Sequence, residues 1–315
     1  MADSIGLDLG SAAVDCAVVT KKGKLVQLKD YFSVKKEKAG PDQVADVMRI
    51  ANEFQSRKMA NAQVSISVTD KNFILITFKL PKLAPKEKEM AMRAEIEQKL
   101  PFPLEECAFD VIRLNEKEGP ENNYVAFCTR IADVNRAHMA ASNFNLNPAA
   151  IVTEMIANMN CASYNGYMEQ KDISYLLLDV GGLHVGFTLV TNNLPWLTFS
   201  LAPKDTFNAD ETVLAFDPKN YIQEQIHEIG KVISSFEEKS VIAPIKTILL
   251  FGKAELVDLA AEQIASVTPL KMEKVDPLRK LDVPAKLRES LNPAFVSSVA
   301  VGLALSMVPG LEVAK

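Results

Sequence analysis

One pattern of apolar and polar positions occurs twice along the chain, in two stretches that are nearly copies of each other. Residues 7–20 read LDLGSAAVDCAVVT and residues 178–191 read LDVGGLHVGFTLVT, so matching residues lie 171 positions apart. Each copy has an apolar run that ends in Asp, then a glycine turn, then a second apolar run, which is the pattern of a β-hairpin. Because self-similarity at a fixed offset indicates duplication, the sequence predicts two related halves.

The same order of elements is predicted after each hairpin. A third strand completes a three-stranded meander, a helix follows where apolar residues recur at helical spacing, and a further strand comes after the helix. These elements fall near 26–34, 44–54 and 64–68 in the first half, and near 196–201, 220–238 and 245–251 in the second. The second half is expected to continue with a helix, a strand and a last helix, near 255–265, 270–275 and 295–307.

The segment from about 80 to 147 has a pattern of its own. A charged amphipathic helix ends where Pro101 and Pro103 follow, and strands and another helix come after it. The sequence therefore predicts a first lobe over 1–162 that contains this small α+β module as an insert. The second lobe is predicted over 163–315.

Composition narrows the function classes. The chain has 315 residues, of which 48% are hydrophobic and 24% charged, a mixture typical of folded globular protein. Its net charge of -5 gives no field that would hold a polyanion, so we expect no nucleic-acid partner. No polybasic tract indicates direct attraction to a membrane surface, and we expect membrane contact only through partner proteins.

Cysteines and terminal segments indicate a reducing compartment. Four cysteines have no C-x-x-C spacing and are expected to be reduced core residues: Cys16, Cys107, Cys128 and Cys161. The N-terminus lacks the basic region of a signal peptide. The apolar run from Phe295 to Leu311 contains serines and a proline, which favours a buried helix over a membrane span.

The duplicated hairpins also suggest chemistry. Backbone N–H groups at two facing tips can bind the phosphates of a nucleotide, and the two carboxylates can hold waters of a bridging Mg²⁺. A later glycine between a strand and a helix is a place where adenosine can lie against backbone. The candidate nucleotide-binding residues are Asp8, Gly10, Ser11, Asp179, Gly181, Gly182 and Gly252. The alternative is that the glycines only form tight turns.

Several strings resemble known sequences. The chain resembles the actin-like ATPase superfamily and, more narrowly, the PilM family of type IV pilus assembly. The resemblance rests on Ile5 to Ser11, Leu80-Pro81, Ala94-Glu95, Leu100 to Glu106, Asp110, Leu178 to Gly181 and Val299 to Leu305. It implies an α/β fold of two duplicated actin-like (ribonuclease H-like) lobes, with a small α+β subdomain inserted in the first lobe.

The chain departs from the family pattern at two places. Between about Pro203 and Tyr221, relatives carry a Gly-Gly turn, a Thr and a helix with Glu and Lys near the nucleotide. In this chain that segment is shorter and lacks these features. The Ser-Gly-Gly turn of relatives is replaced by Phe251-Gly252-Lys253. We therefore expect a reduced clamping subdomain in the second lobe, at most weak binding of ATP with Mg²⁺, and no catalytic residue or metal site.

The resemblance implies a cytoplasmic adapter at the inner face of the inner membrane. Such an adapter docks the N-terminal cytoplasmic peptide of a PilN-like inner-membrane protein in a groove between the first lobe and the insert, and contacts other pilus assembly proteins. Phe102, Leu104 and Phe109 are the candidate apolar anchors, unless they only pack the core of the insert.

Two alternatives stay open. One is an ATP-binding or ATP-hydrolysing enzyme of the same fold, although no zinc-helix, P-loop or Gly-x-Ser-x-Gly pattern is present. The other is the cytoplasmic domain of a type II secretion assembly protein, which normally continues into a membrane span.

Overall fold

A computed structural model describes residues 3–10, 13–36, 44–68, 73–114, 120–180, 184–201, 218–239, 243–292 and 295–311. Its strands are β1 (Ser4–Asp8), β2 (Ala13–Lys22), β3 (Leu25–Lys35), β4 (Gln63–Val68), β5 (Phe73–Pro81), β6 (Cys107–Arg113), β7 (Glu121–Arg130), β8 (Asn147–Thr153), β9 (Ser174–Asp179), β10 (Val185–Thr191), β11 (Leu194–Leu201), β12 (Ile245–Phe251) and β13 (Lys271–Lys274). Its helices are α1 (Val44–Ser56), α2 (Pro85–Glu97), α3 (Ile131–Asn143), α4 (Glu154–Tyr164), α5 (Pro218–Lys239), α6 (Ala254–Ile264), α7 (Ala285–Ser290) and α8 (Ser298–Ser306).

The duplication predicted from the sequence is present in the topology. The first sheet has the order β3-β2-β1-β4-β8 and the second has the order β11-β10-β9-β12-β13. In both, the first three strands form an antiparallel meander and the remaining two run parallel to the first strand. Asp8 ends β1 and Asp179 ends β9, so the two aspartates hold equivalent positions.

A three-stranded antiparallel sheet with the order β5-β7-β6 forms the insert. Helix α2 covers one face, where Ile96 is completely buried. The other face packs on the second sheet through Phe73 and Phe127. This sheet begins at Phe73 rather than near residue 80, and α3 packs its Ala137 into the core of the first sheet. The three strands and α2 thus span 73–130, and α3 comes between β4 and β8 as α6 comes between β12 and β13. The insert bounds of about 80–147 stay a prediction.

The end of the chain returns to the first sheet. Helix α8 packs on β1, β2, β4 and α4. Gln27 of β3 forms an isolated parallel β-bridge with Asp282. The predicted second lobe of 163–315 includes this segment. Chain order alone could not show where it packs, since a helix that is apolar on all sides fits either core.

The apolar run near the C-terminus forms a buried helix, as expected. Every residue of α8 from Val299 to Leu305 is buried. Among the helices in the described part of the chain, none is long and apolar enough to cross a bilayer. The four cysteines are free thiols and all are buried, in agreement with their assignment to the core.

Candidate functional site

The two hairpin aspartates lie where strands end and backbone turns begin. Asp8 is directly opposite Asp15 of β2, and Asp179 is opposite Gly186 of β10. Gly10 follows two residues after Asp8 and is partly exposed. The other predicted tip residues lie outside the described residues: Ser11, Gly181 and Gly182.

Asp8 is a buried carboxylate with a hydroxyl on each oxygen. Ser67 donates to Oδ1 at 3.3 Å and Ser297 donates to Oδ2 at 2.8 Å. Burial, then the negative charge of Asp15 and that of Asp179, raise the pKa of Asp8 to about 7, although the two serines oppose the shift. Because the charge of Asp179 acts on Asp8, the two hairpin ends face a common region between the sheets.

Asp179 is held by the helix that connects the two sheets. Asn158 of α4 donates from Nδ2 to Asp179 Oδ2 at 2.7 Å. The Oδ1 atom of the same asparagine accepts a hydrogen bond from Ser298 at 2.7 Å. Ser297 and Ser298 are consecutive residues, so the two hairpin carboxylates are linked through the start of α8.

A second acidic group lies beside Asp8. Asp15 accepts a hydrogen bond from the Tyr31 hydroxyl at 2.8 Å, and that hydroxyl accepts from the Ser297 backbone N–H at 2.8 Å. Burial raises the pKa of Asp15, while hydrogen bonds from Tyr31 and Ser33 and the charge of Lys253 oppose the rise. Lys253 belongs to the second half, so its charge reaches a carboxylate of the first.

Lys36 is a second cation near the first hairpin. Its ammonium donates to the Gly10 carbonyl at 2.8 Å. Burial lowers the pKa of Lys36, and the charges of Asp8 and Asp46 oppose that change. The sequence analysis missed Lys36, Tyr31, Asn158 and the serine pair, because isolated polar residues with no motif around them carry no signal of burial.

The predicted adenosine turn has a structural explanation. Gly252 follows β12 with φ of 127°, a backbone conformation that residues with a Cβ rarely adopt. Lys253 then forms the N-cap of α6. The turn alone therefore accounts for this glycine, and nothing in its surroundings requires a nucleotide.

A magnesium nucleotide fits these residues poorly. Mg²⁺ favours ionised carboxylates that are free to bind it or its waters. Asp8 instead accepts hydrogen bonds on both oxygens, and a pKa of about 7 leaves much of it neutral at neutral pH. Among the described residues, no three His, Cys, Asp or Glu side chains form a group that could hold a metal ion.

The three predicted anchor residues, Phe102, Leu104 and Phe109, pack against one apolar cluster. All are partly buried against the core of the insert. Phe109 lies on the sheet face that α2 covers, and the Arg93 guanidinium of α2 is 5.4 Å from its ring centroid. Phe102 lies instead at the start of α3, where the Arg130 guanidinium is 4.1 Å from its ring centroid. The Phe102–Arg130 contact lies where the insert meets α3, because Arg130 ends β7 and is the N-cap of α3.

The duplicated meanders, the returning helix and the inserted sheet define an actin-like ATPase fold. The chain belongs to the PilM family: a family model described as type IV pilus assembly protein PilM matches residues 6–194.

Solved structures agree on the fold. The chain is similar to a structure described as the PilM–PilN type IV pilus biogenesis complex, with a TM-score of 0.76, 21% identity and coverage of 97% of this chain and 98% of that one. It is also similar to the ethanolamine utilization protein EutJ from Carboxydothermus hydrogenoformans, with a TM-score of 0.51, 11% identity and coverage of 97% and 90%.

A protein of actin-like ATPase fold and unknown function from Bacteroides thetaiotaomicron gives a TM-score of 0.50 at 8% identity, with coverage of 92% and 96%. No curated protein matches the chain in sequence.

Proposed function

We propose that the chain is a cytoplasmic adapter of the type IV pilus machine that binds the N-terminal cytoplasmic tail of a PilN-like inner-membrane protein. Membership of the PilM family is the observation that carries the proposal. The similarity to a structure described as the PilM–PilN type IV pilus biogenesis complex supports it. The adapter is then held at the inner face of the inner membrane by its partner.

We place the tail at the junction between the insert and the first lobe. Phe102 is partly exposed there, and Arg130 lies over its ring. The next residue, Ile131, begins α3 with 40% of its surface exposed. An aromatic ring, an aliphatic side chain and an arginine that are close in space and partly open to solvent are typical of a peptide anchor site.

Calorimetry with a synthetic N-terminal tail peptide of the PilN-like protein tests this proposal. Phe102→Asp puts a charge at the anchor and is expected to weaken binding by about 30-fold or more if this residue is a hot spot. Met90→Asp is the matched control, because Met90 is 72% exposed on α2 of the same insert. Unchanged affinity in folded Phe102→Asp would remove the site, and absence of any binding by the unmodified chain would remove the function.

An ATP-binding or ATP-hydrolysing enzyme is the second candidate. One observation favours it, namely that the charge of Asp179 acts on Asp8, so the two duplicated carboxylates are near each other as a phosphate site requires. The hydrogen bonds and raised pKa of Asp8 argue against it. Chromatography of the nucleotide released on denaturing the purified protein distinguishes the two candidates.

A further inference from the structure

Three hydrogen bonds and the peptide bond between Ser297 and Ser298 connect the two halves of the molecule. Asp8 of β1 accepts from Ser297, Ser298 donates to Asn158, and Asn158 donates to Asp179 of β9, at 2.8, 2.7 and 2.7 Å. We call these five residues the clasp. Its ends are equivalent residues of the duplicated sheets, and its centre is formed by α4 and the first turn of α8.

The centre of the clasp is held rigidly by close backbone packing. A Cβ at Gly302 would lie 1.8 Å from the Ala157 carbonyl oxygen, so α8 touches α4 without a side chain between them. A Cβ at Gly6 would lie 2.1 Å from the Ala300 oxygen, so α8 touches β1 in the same way. Helix α8 therefore packs directly on the backbones of α4 and β1, and the serines at its start lie beside both carboxylates.

Ser297 has further hydrogen bonds that orient its hydroxyl group. The Ser297 hydroxyl accepts from the Ala300 N–H at 3.0 Å as the N-cap of α8, and its backbone N–H donates to Tyr31. With that acceptor position occupied, the hydroxyl proton of Ser297 is directed to Asp8. A buried or half-buried network in which every member has a partner favours one arrangement.

We propose that the clasp fixes the relative position of the two lobes without a nucleotide, by giving each hairpin carboxylate a hydrogen-bond donor from the protein itself. In this arrangement the start of α8, although the helix packs on the first sheet, is linked by hydrogen bonds to the hairpin carboxylates of both sheets. A ligand that binds both carboxylates must replace their hydrogen bonds to Ser297 and Asn158.

Distances between spin labels test the proposal on the full chain. Gln55→Cys on α1 and Glu262→Cys on α6 place one exposed label on each lobe, and the native cysteines are buried. Without nucleotide, we expect one narrow distance distribution. Ser298→Ala is expected to widen it at least twofold. Ser306→Ala is the matched control, since it removes a hydroxyl from the other end of α8.

A second pair of variants tests the proposal independently if Ser298→Ala does not fold. Asp179→Asn keeps an acceptor oxygen for Asn158, whereas Asp179→Leu has none. A narrow distribution in Asp179→Asn and a wide one in Asp179→Leu would support the clasp. Equal widths in these two variants, or an unchanged width in folded Ser298→Ala, would overturn it.

Discussion

Gly302 of α8 lies so close to Ala157 of α4 that a Cβ on the glycine would be 1.8 Å from the alanine carbonyl oxygen. Both residues are buried, and the contact is between backbones, which cannot rotate away as a side chain can. The close contact between α8 and α4 therefore requires a residue without a Cβ at position 302.

Gly302→Ala is therefore expected to destabilise the protein severely, by roughly 3 kcal/mol, because the helices must separate to admit the methyl group. Urea unfolding followed by circular dichroism measures the change. Gly230→Ala on α5 is the control. Its new Cβ would meet the Val267 side chain at 3.1 Å, so we expect a change within about 1 kcal/mol. Equal stabilities of the two variants would show that α8 can move away from α4.

The raised pKa of Asp8 predicts how stability depends on pH. This carboxyl binds its proton more tightly in the folded chain, with a pKa of about 7, than in the unfolded chain, near 3.8. Its contribution to the free energy of unfolding is therefore present at low pH and is lost as the pH rises toward 7. Asp8→Asn does not titrate, so it should gain about 2 to 3 kcal/mol over the unmodified chain between pH 5 and pH 8.

Urea unfolding of both proteins at several pH values checks this expectation. Asp110→Asn is a suitable control because Asp110 is exposed on β6. Parallel stability curves for Asp8→Asn and the unmodified chain would contradict the buried, protonated state of Asp8.

Much of the fold could be predicted because it follows from local pattern. The repeat gave the equivalence of Asp8 and Asp179, and alternation of apolar residues gave the strands, including β12 at its observed bounds of Ile245–Phe251. The two observed sheets have the same strand order, as the predicted equivalence of the halves requires. These features depend on residues that are near one another in sequence.

The connections between distant elements could not be predicted in the same way. Ser297, Ser298 and Asn158 are ordinary helix-start and helix residues by sequence, and only their burial together makes them a link between carboxylates. The bounds of the insert depend on the same kind of long-range information. Apolar alternation shows that Phe73 to Leu80 is a strand, but it does not show which sheet that strand joins.

Phe109 and Phe102 are expected to respond differently to the same substitution. Phe109 packs beneath α2, so Phe109→Asp would bury a charge and lower the free energy of unfolding by roughly 3 kcal/mol. Phe102 lies at the edge of the insert, so Phe102→Asp should cost less stability. Thermal unfolding of both variants measures the difference, and a larger loss in Phe102→Asp would mean that this ring, too, is part of the core.

The last prediction is that the chain binds ATP only weakly, with a Kd well above the micromolar range, and does not hydrolyse it at a useful rate. Phosphoryl transfer requires positioned charge and an oriented water. Here Asp8 is held by Ser67 and Ser297, and its pKa of about 7 reduces its charge at neutral pH. A phosphate-release assay on the purified chain measures turnover, and isothermal calorimetry measures binding. Steady hydrolysis that disappears in both Asp8→Ala and Asp179→Ala, with both variants folded, would show that the duplicated carboxylates act on nucleotide despite their hydrogen bonds.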